Sequence, residues 1–181
     1  MNCKKCVSVL LALLLLLVSL PACRPATVQS EGDRAEIYAA VVRQLYTVDH
    51  TFGDNPPNWP VVYLLRATND RAGNPVVNGE VKSSAIPVSV QEAIVAALED
   101  LPAKLTWIDD QREVIDERIS GVINNGALVT LGNIYLQEDG SVQVAASIYF
   151  SSLGAGGTTY VVKKVAGVWQ ITGKTGAQWI S

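Results

Sequence analysis

The sequence predicts an α+β fold in which helices come first and an antiparallel meander follows. Apolar side chains recur at helical spacing near residues 33–47 and again after Ser89. Beyond Gly121 the pattern changes to strict alternation, which is typical of half-buried strands. Four such segments lie at about 127–136, 141–151, 158–166 and 168–173. We therefore expect N-terminal helices packed on a curved antiparallel sheet, within a single domain over residues 31–181.

The two helices are predicted from their stripes and their starts. Ser30 is a candidate N-cap, and Ile37, Val41 and Leu45 repeat on one face of the first helix. Ser89 and Glu92 have the spacing of a capping box, which predicts that the second helix begins there and runs towards Pro102.

The strands are predicted from apolar runs and turn residues. Residues 61–65 form a compact apolar run typical of a buried strand, and residues 105–108 form a shorter one. Asp139-Gly140 and Ala166-Gly167 indicate tight hairpins. The glycine-rich stretch 154–157 is interpreted as a flexible loop between two strands, because the helix and Lys-Ser/Thr of a phosphate loop are absent.

The N-terminus has the three parts of a secretory signal. Lys4 and Lys5 precede an apolar run from Val7 to Leu20, which is short for a membrane-spanning helix. Cys3 and Cys6 lie inside this segment, so we assign them no metal or redox role.

Leu20-Pro21-Ala22-Cys23 resembles the lipobox of bacterial lipoproteins. The resemblance implies a signal peptide over residues 1–22, cleavage before Cys23, and a diacylglyceryl thioether on its sulfur. Residues 23–30 would then be the lipidated cysteine and a short tether. The membrane partner is this lipid, and the location is extracytoplasmic: the outer membrane or periplasm of a two-membrane cell, or the outer face of a single membrane.

Residues 160–171 resemble the closing hairpin of NTF2-like proteins, with Ala166-Gly167 as the turn and Trp169 and Ile171 on the last strand. The resemblance implies a curved sheet that wraps a helix, as in an NTF2-like or cystatin-like cone. A cystatin-like arrangement would give nearly the same sequence pattern.

Composition excludes several classes of function. A formal net charge of −3 argues against nucleic-acid binding. Cys23 is the sole cysteine after the signal segment, so thiol catalysis and a disulfide within the domain are not expected. One histidine is too few for an ordinary zinc site, and we expect neither a metal nor a cofactor. The acids at 109–117 do not have the EF-hand spacing and are interpreted as a solvated face.

Two residues are candidates for a functional site. His50 follows Asp49 just past the first helix and is a candidate general base, although a histidine at a helix C-terminus has an ordinary structural explanation. Trp59 lies among three prolines, and an exposed ring there would contact a sugar, a peptide or a protein partner.

These features favour a lipid-anchored protein that binds a small molecule or a protein partner without catalysis. The alternatives are a small NTF2-like enzyme that uses His50 with a nearby acid, and a structural component of the cell envelope.

The anchor is tested by a cysteine substitution. Cys23→Ser should abolish metabolic labelling with palmitate, because the thioether forms on that sulfur. The Cys3→Ser, Cys6→Ser double variant should label normally. Labelling of Cys23→Ser at the level of the unaltered chain would refute the lipoprotein interpretation.

Overall fold

A computed structural model describes residues 30–51, 58–75 and 81–181. The predicted signal peptide (residues 1–22) and Cys23 lie outside these residues. The helices described are α1 (Glu31–Thr47) and α2 (Val88–Ala97). The strands are β1 (Val61–Leu65), β2 (Lys104–Ile108), β3 (Ile115–Asp116), β4 (Gly121–Val122), β5 (Ala127–Leu136), β6 (Val142–Ser151), β7 (Gly154–Val165) and β8 (Val168–Ile180).

The strands form one curved, mostly antiparallel sheet, which confirms the predicted α+β class. The main path runs β2-β1-β5-β6-β7-β8, and the short β3 and β4 extend it beside one end of β6. β1 pairs in parallel with β2 and β5, whereas β5 to β8 form the expected antiparallel meander. No helix in the described part of the chain is long and apolar enough to span a membrane.

Helix α1 forms as its sequence predicts. The Ser30 side chain accepts a hydrogen bond from the Asp33 backbone N–H at 3.0 Å, which caps the first turn. Ile37, Val41 and Leu45 are at most 1% exposed and pack into the main core. The sheet supplies the opposite wall of this core, including alternate residues of β6, Val142, Val144, Ala146 and Ile148.

The start of α2 differs from the prediction. The helix begins at Val88, with Pro87 in the N-cap position and no side-chain cap. Pro87 has φ −56°, which suits the entry to a helix. The Ser89 hydroxyl is instead inside the first turn and donates to Glu31 Oε2 at 2.7 Å, so it ties α2 to α1. The capping-box interpretation was therefore wrong, and the helix ends at Ala97 rather than close to Pro102.

The meander is longer than predicted at two places. β7 begins at Gly154, so the glycine-rich stretch is strand rather than a flexible loop. β8 continues to Ile180, and Gly156 and Gly157 pair with Ile180 and Trp179. A Cβ on Gly157 would lie 2.3 Å from the Ala72 carbonyl oxygen and 2.5 Å from Trp179 Nε1. Glycine is required here because neighbouring groups approach the strand too closely for a side chain.

Asp33 joins the start of α1 to the last hairpin. Its Oδ1 accepts hydrogen bonds from Lys164 Nζ and Trp169 Nε1, each at 2.7 Å. Both bonds lower the pKa of Asp33, from 3.8 to about 2, and the bond from Lys164 has the larger effect. A carboxyl group whose pKa is lower in the folded than in the unfolded state stabilises the fold above its unfolded pKa, and this contribution disappears as the pH falls towards 2.

Asp33→Asn should lower the free energy of unfolding by about 2 kcal/mol at pH 7, because charged hydrogen bonds are lost. The difference from the unaltered chain should shrink below pH 4 and vanish near pH 2. Urea unfolding at pH 7, 4 and 2 measures it.

Asp100→Asn is the control, since Asp100 pairs with Arg43 but its side chain is 63% exposed. At pH 7 this substitution should lower the free energy of unfolding much less than Asp33→Asn does, because solvent screens an exposed pair. The role assigned to Asp33 would be contradicted if both variants lost the same free energy of unfolding at pH 7. It would also be contradicted if the full loss for Asp33→Asn persisted at pH 2.

Candidate functional site

A cleft of about 240 Å³ opens where the C-terminal end of α1 meets β7 and β8. We call it the α1–β8 cleft. Leu45, Val48, Asp49 and Thr51 line it from the helix end, residues 156–158 and 160 from β7, and residues 174 and 178–180 from β8. Its volume corresponds to about eight water molecules at liquid density, which suits a small ligand or the end of a larger one.

Asp49 is held at the mouth of the cleft by the end of α1. The backbone N–H groups of Val48 and Asp49 both donate to the Gln44 carbonyl, at 3.0 and 2.9 Å. The Gln44 side-chain amide also donates to Asp49 Oδ2 at 3.1 Å. Thr51 then turns the chain with φ 64°, a conformation that is uncommon for a residue other than glycine.

Asp49 links this helix end to both strands of the last hairpin. The Tyr160 hydroxyl of β7 donates to Asp49 Oδ2 at 2.9 Å, and Lys174 Nζ of β8 donates to Oδ1 at 2.6 Å. Lys174 Nζ also lies 5.9 Å from the centre of the Tyr160 ring, within the range of a cation–π interaction. The three side chains therefore form one connected group that closes one end of the cleft.

Burial, and then the charge of Asp49, raise the pKa of Tyr160 far above its usual range. The Tyr160 side chain is fully buried, so ionisation would place a second negative charge beside Asp49 in a poorly solvated region. The phenol therefore stays protonated and remains a hydrogen-bond donor to Asp49 throughout the physiological pH range.

β8 has a bulge between the cleft residues Lys174 and Gln178. Gly157 pairs with Trp179 whereas Thr159 pairs with Thr175, so β8 carries two more residues than β7 across this step. Gly176 takes φ +71° inside the bulge, a conformation that glycine adopts without strain. Trp179 is fixed beyond the bulge by a hydrogen bond of 3.0 Å from its Nε1 to the Ala72 carbonyl.

Thr158 contributes an unsatisfied polar group to the lining. The residue is 5% exposed, and its hydroxyl has no hydrogen-bond partner within the described part of the chain. A buried hydroxyl without a partner costs free energy, and such groups are rare in folded proteins.

His50 does not face the cleft as a general base would. It is 3% exposed, and its neighbours Asp49 and Thr51 line the cleft, but His50 is not among the described lining residues. The carboxylate beside it in sequence is bonded to Tyr160, Lys174 and Gln44. The geometry gives His50 a position in the wall behind the cleft.

Trp59 lies in the core rather than on an exposed loop. It is 4% exposed, and its ring packs against Tyr46 and Phe150 at centroid distances of 5.7 and 5.2 Å. The condition for Trp59 to be a ligand-binding residue, an exposed ring, is therefore not met. Burial of its large apolar surface between α1 and β6 is the physical reason.

In the acid-rich segment after β2, Asp109 pairs with the distant Arg66 at 3.0 Å, and the next carboxylates are used locally. Asp110 pairs with Arg112, and Asp116 pairs with Arg118. Glu113 Oε1 accepts from the backbone N–H groups of Asp109 and Asp110 and completes a capping box on a short 3₁₀ helix (Gln111–Glu113). Across residues 30–51, 58–75 and 81–181, no group of three or more His, Cys, Asp or Glu side chains could hold a metal ion.

The residues that define the cleft were largely missed from the sequence. Asp49 was noted only as a partner for His50, and the last strand was predicted to end at residue 173, before Lys174 and Gln178. Period-two spacing does place Thr158 and Tyr160 on one face of β7, which is the one local signal that was present.

The chain matches no protein-family model, no curated protein and no solved structure.

Thr158→Val should leave the free energy of unfolding unchanged or raise it by up to about 1 kcal/mol, because the methyl group removes an unsatisfied buried hydroxyl. Thr68→Val is the matched control. Thr68 is 2% exposed, but its hydroxyl accepts from the Ser84 N–H at 2.8 Å and donates to Asn133 Oδ1 at 2.9 Å.

The control should lose about 2 kcal/mol in urea unfolding, since it breaks bonds that are made. If Thr158→Val lost as much as Thr68→Val, the hydroxyl of Thr158 would have a partner in the free protein.

Proposed function

We propose that this protein is a lipid-anchored extracytoplasmic domain that holds a small ligand in the α1–β8 cleft and does not catalyse a reaction on it. The observation that carries the proposal is the cleft itself, in which the Lys174 ammonium and Asp49 lie beside apolar side chains. Convergent polar groups in a concave, partly apolar site are typical of small-molecule binding.

The lipobox-like sequence Leu20-Pro21-Ala22-Cys23 supports the anchored location. Residues 24–30 would span at most about 25 Å when fully extended. The domain would therefore work close to a bilayer surface, in the periplasm or outside the cell. A ligand held there would come from the envelope or from outside.

Binding is favoured over the NTF2-like enzyme that uses His50. Proton transfer to a ligand in the cleft would require the imidazole to reach it, yet the described lining contains the neighbours of His50 and not His50 itself. Asp49 already accepts three hydrogen bonds, so it is better suited to hold the site together than to exchange protons.

The proposal predicts where small molecules bind. A mixed collection of small polar compounds should be screened by two-dimensional ¹H–¹⁵N NMR on the Cys23→Ser chain without residues 1–22, which keeps every residue of the domain and carries neither the apolar segment nor the lipid. Shifts should cluster on Asp49, Thr158, Lys174 and the Trp179 indole.

Two results would count against it. Hits whose shifts cluster elsewhere on the surface would remove the cleft as the site. A collection that produces no shift in the cleft at millimolar concentration would favour the structural role.

A further inference from the structure

The hydrogen-bonding capacity of the α1–β8 cleft is unequally divided between acceptors and donors. Asp49 is the carboxylate of the lining, and both of its oxygens are engaged: Oδ1 by Lys174, and Oδ2 by Tyr160 and Gln44. Little acceptor capacity is left for a ligand. A cationic ligand would also meet the Lys174 ammonium, which is the nearest charge to Asp49.

The donors of the lining are less fully used. An ammonium group has three N–H donors, and Lys174 uses one of them, on Asp49, within the described part of the chain. The Lys174 side chain is 32% exposed, so its remaining donors are accessible. The unused donors of Lys174 therefore call for acceptor atoms on the ligand.

The rest of the lining is apolar and partly exposed. Val48 is 59% exposed and Ile180 is 76% exposed, on opposite sides of the cleft. Leu45 lies at the base between them and is 1% exposed. Burying exposed aliphatic side chains against a ligand is favourable by about 25 cal/mol per Å² of apolar surface. A ligand with an aliphatic body would cover them.

We propose that the α1–β8 cleft binds a small monocarboxylate with a short aliphatic body. The carboxylate accepts a charge-assisted hydrogen bond from Lys174 Nζ, which is stronger than a bond between neutral groups. The aliphatic part lies against Val48 and Ile180. This inference rests on the proposed function, since it names the ligand class of the same cleft.

Asp49 opposes this ligand through its charge. It orients Lys174, but it is also a like charge within a few ångströms of the incoming carboxylate. Neutralising Asp49 should therefore strengthen binding of a carboxylate, whereas it would weaken binding of a cation and have little effect on a neutral amide. The sign of this effect identifies the charge of the ligand.

The test compares three six-carbon probes, hexanoate, hexanamide and hexylamine, by NMR titration of the same Cys23→Ser chain, without residues 1–22, at pH 7. Hexanoate should shift the cleft signals with an affinity at least about tenfold higher than hexanamide, which corresponds to one charged hydrogen bond. Hexylamine should bind least. This comparison needs no substitution in the cleft, so it does not depend on how a variant folds.

Three variants refine the test. Lys174→Met keeps the aliphatic stem and should weaken hexanoate binding about tenfold or more, and Asp49→Asn should strengthen it several-fold. Lys163→Met is the control, because Lys163 lies in the same hairpin, pairs with Asp139 and is outside the described lining of the cleft. The affinity of this variant for hexanoate should be unchanged.

The outcomes separate the two proposals. If hexanamide or hexylamine binds in the cleft as tightly as hexanoate, or if Asp49→Asn weakens hexanoate binding, the carboxylate class is overturned and the cleft remains a ligand site. If none of the three probes shifts the cleft signals while other compounds of the collection do, the carboxylate class is likewise overturned. If no compound at all binds there, the proposed function falls with it.

Discussion

The bond between Asp49 and the last hairpin is the interaction on which the site depends. Asp49 follows the end of α1, and the Tyr160 hydroxyl and the Lys174 ammonium reach it from β7 and β8. Tyr160 is fully buried, so its hydroxyl needs a partner, and the carboxylate of Asp49 provides one. The same carboxylate fixes the position of Lys174. One acidic residue thus satisfies a buried group and sets the charge at the mouth of the cleft.

A second carboxylate holds the other end of the same helix. Asp33 binds Trp169 and Lys164, which lie on either side of the β7–β8 turn. Both ends of α1 are thus attached to one hairpin, and Ile37, Val41 and Leu45 pack into the main core. Gly176 lies in the β8 bulge, between the cleft residues Lys174 and Gln178.

The sequence predicted the fold better than the site, for physical reasons that particular residues make clear. Alternation and helical spacing are local signals, and they were sufficient for α1, β1 and most of the meander. Ser89 was misassigned because a capping box also fits a serine that bonds to another helix, here at Glu31. The glycine-rich stretch 154–157 was interpreted as a loop. Glycine is needed at position 157 because Ala72 and Trp179, which are distant in sequence, lie too close for a side chain. The cleft joins residues 45–51 to residues 156–180, and no local pattern connects them.

A double-mutant cycle on Asp49→Asn and Tyr160→Phe tests the central interaction most directly. If the carboxylate is the partner that the buried phenol requires, the free energies of unfolding of the two single variants and the double variant should give a coupling of about 1–2 kcal/mol. Effects that add to within about 0.5 kcal/mol would show that Asp49 and Tyr160 act independently, and the end of α1 would then be held to the hairpin by packing alone.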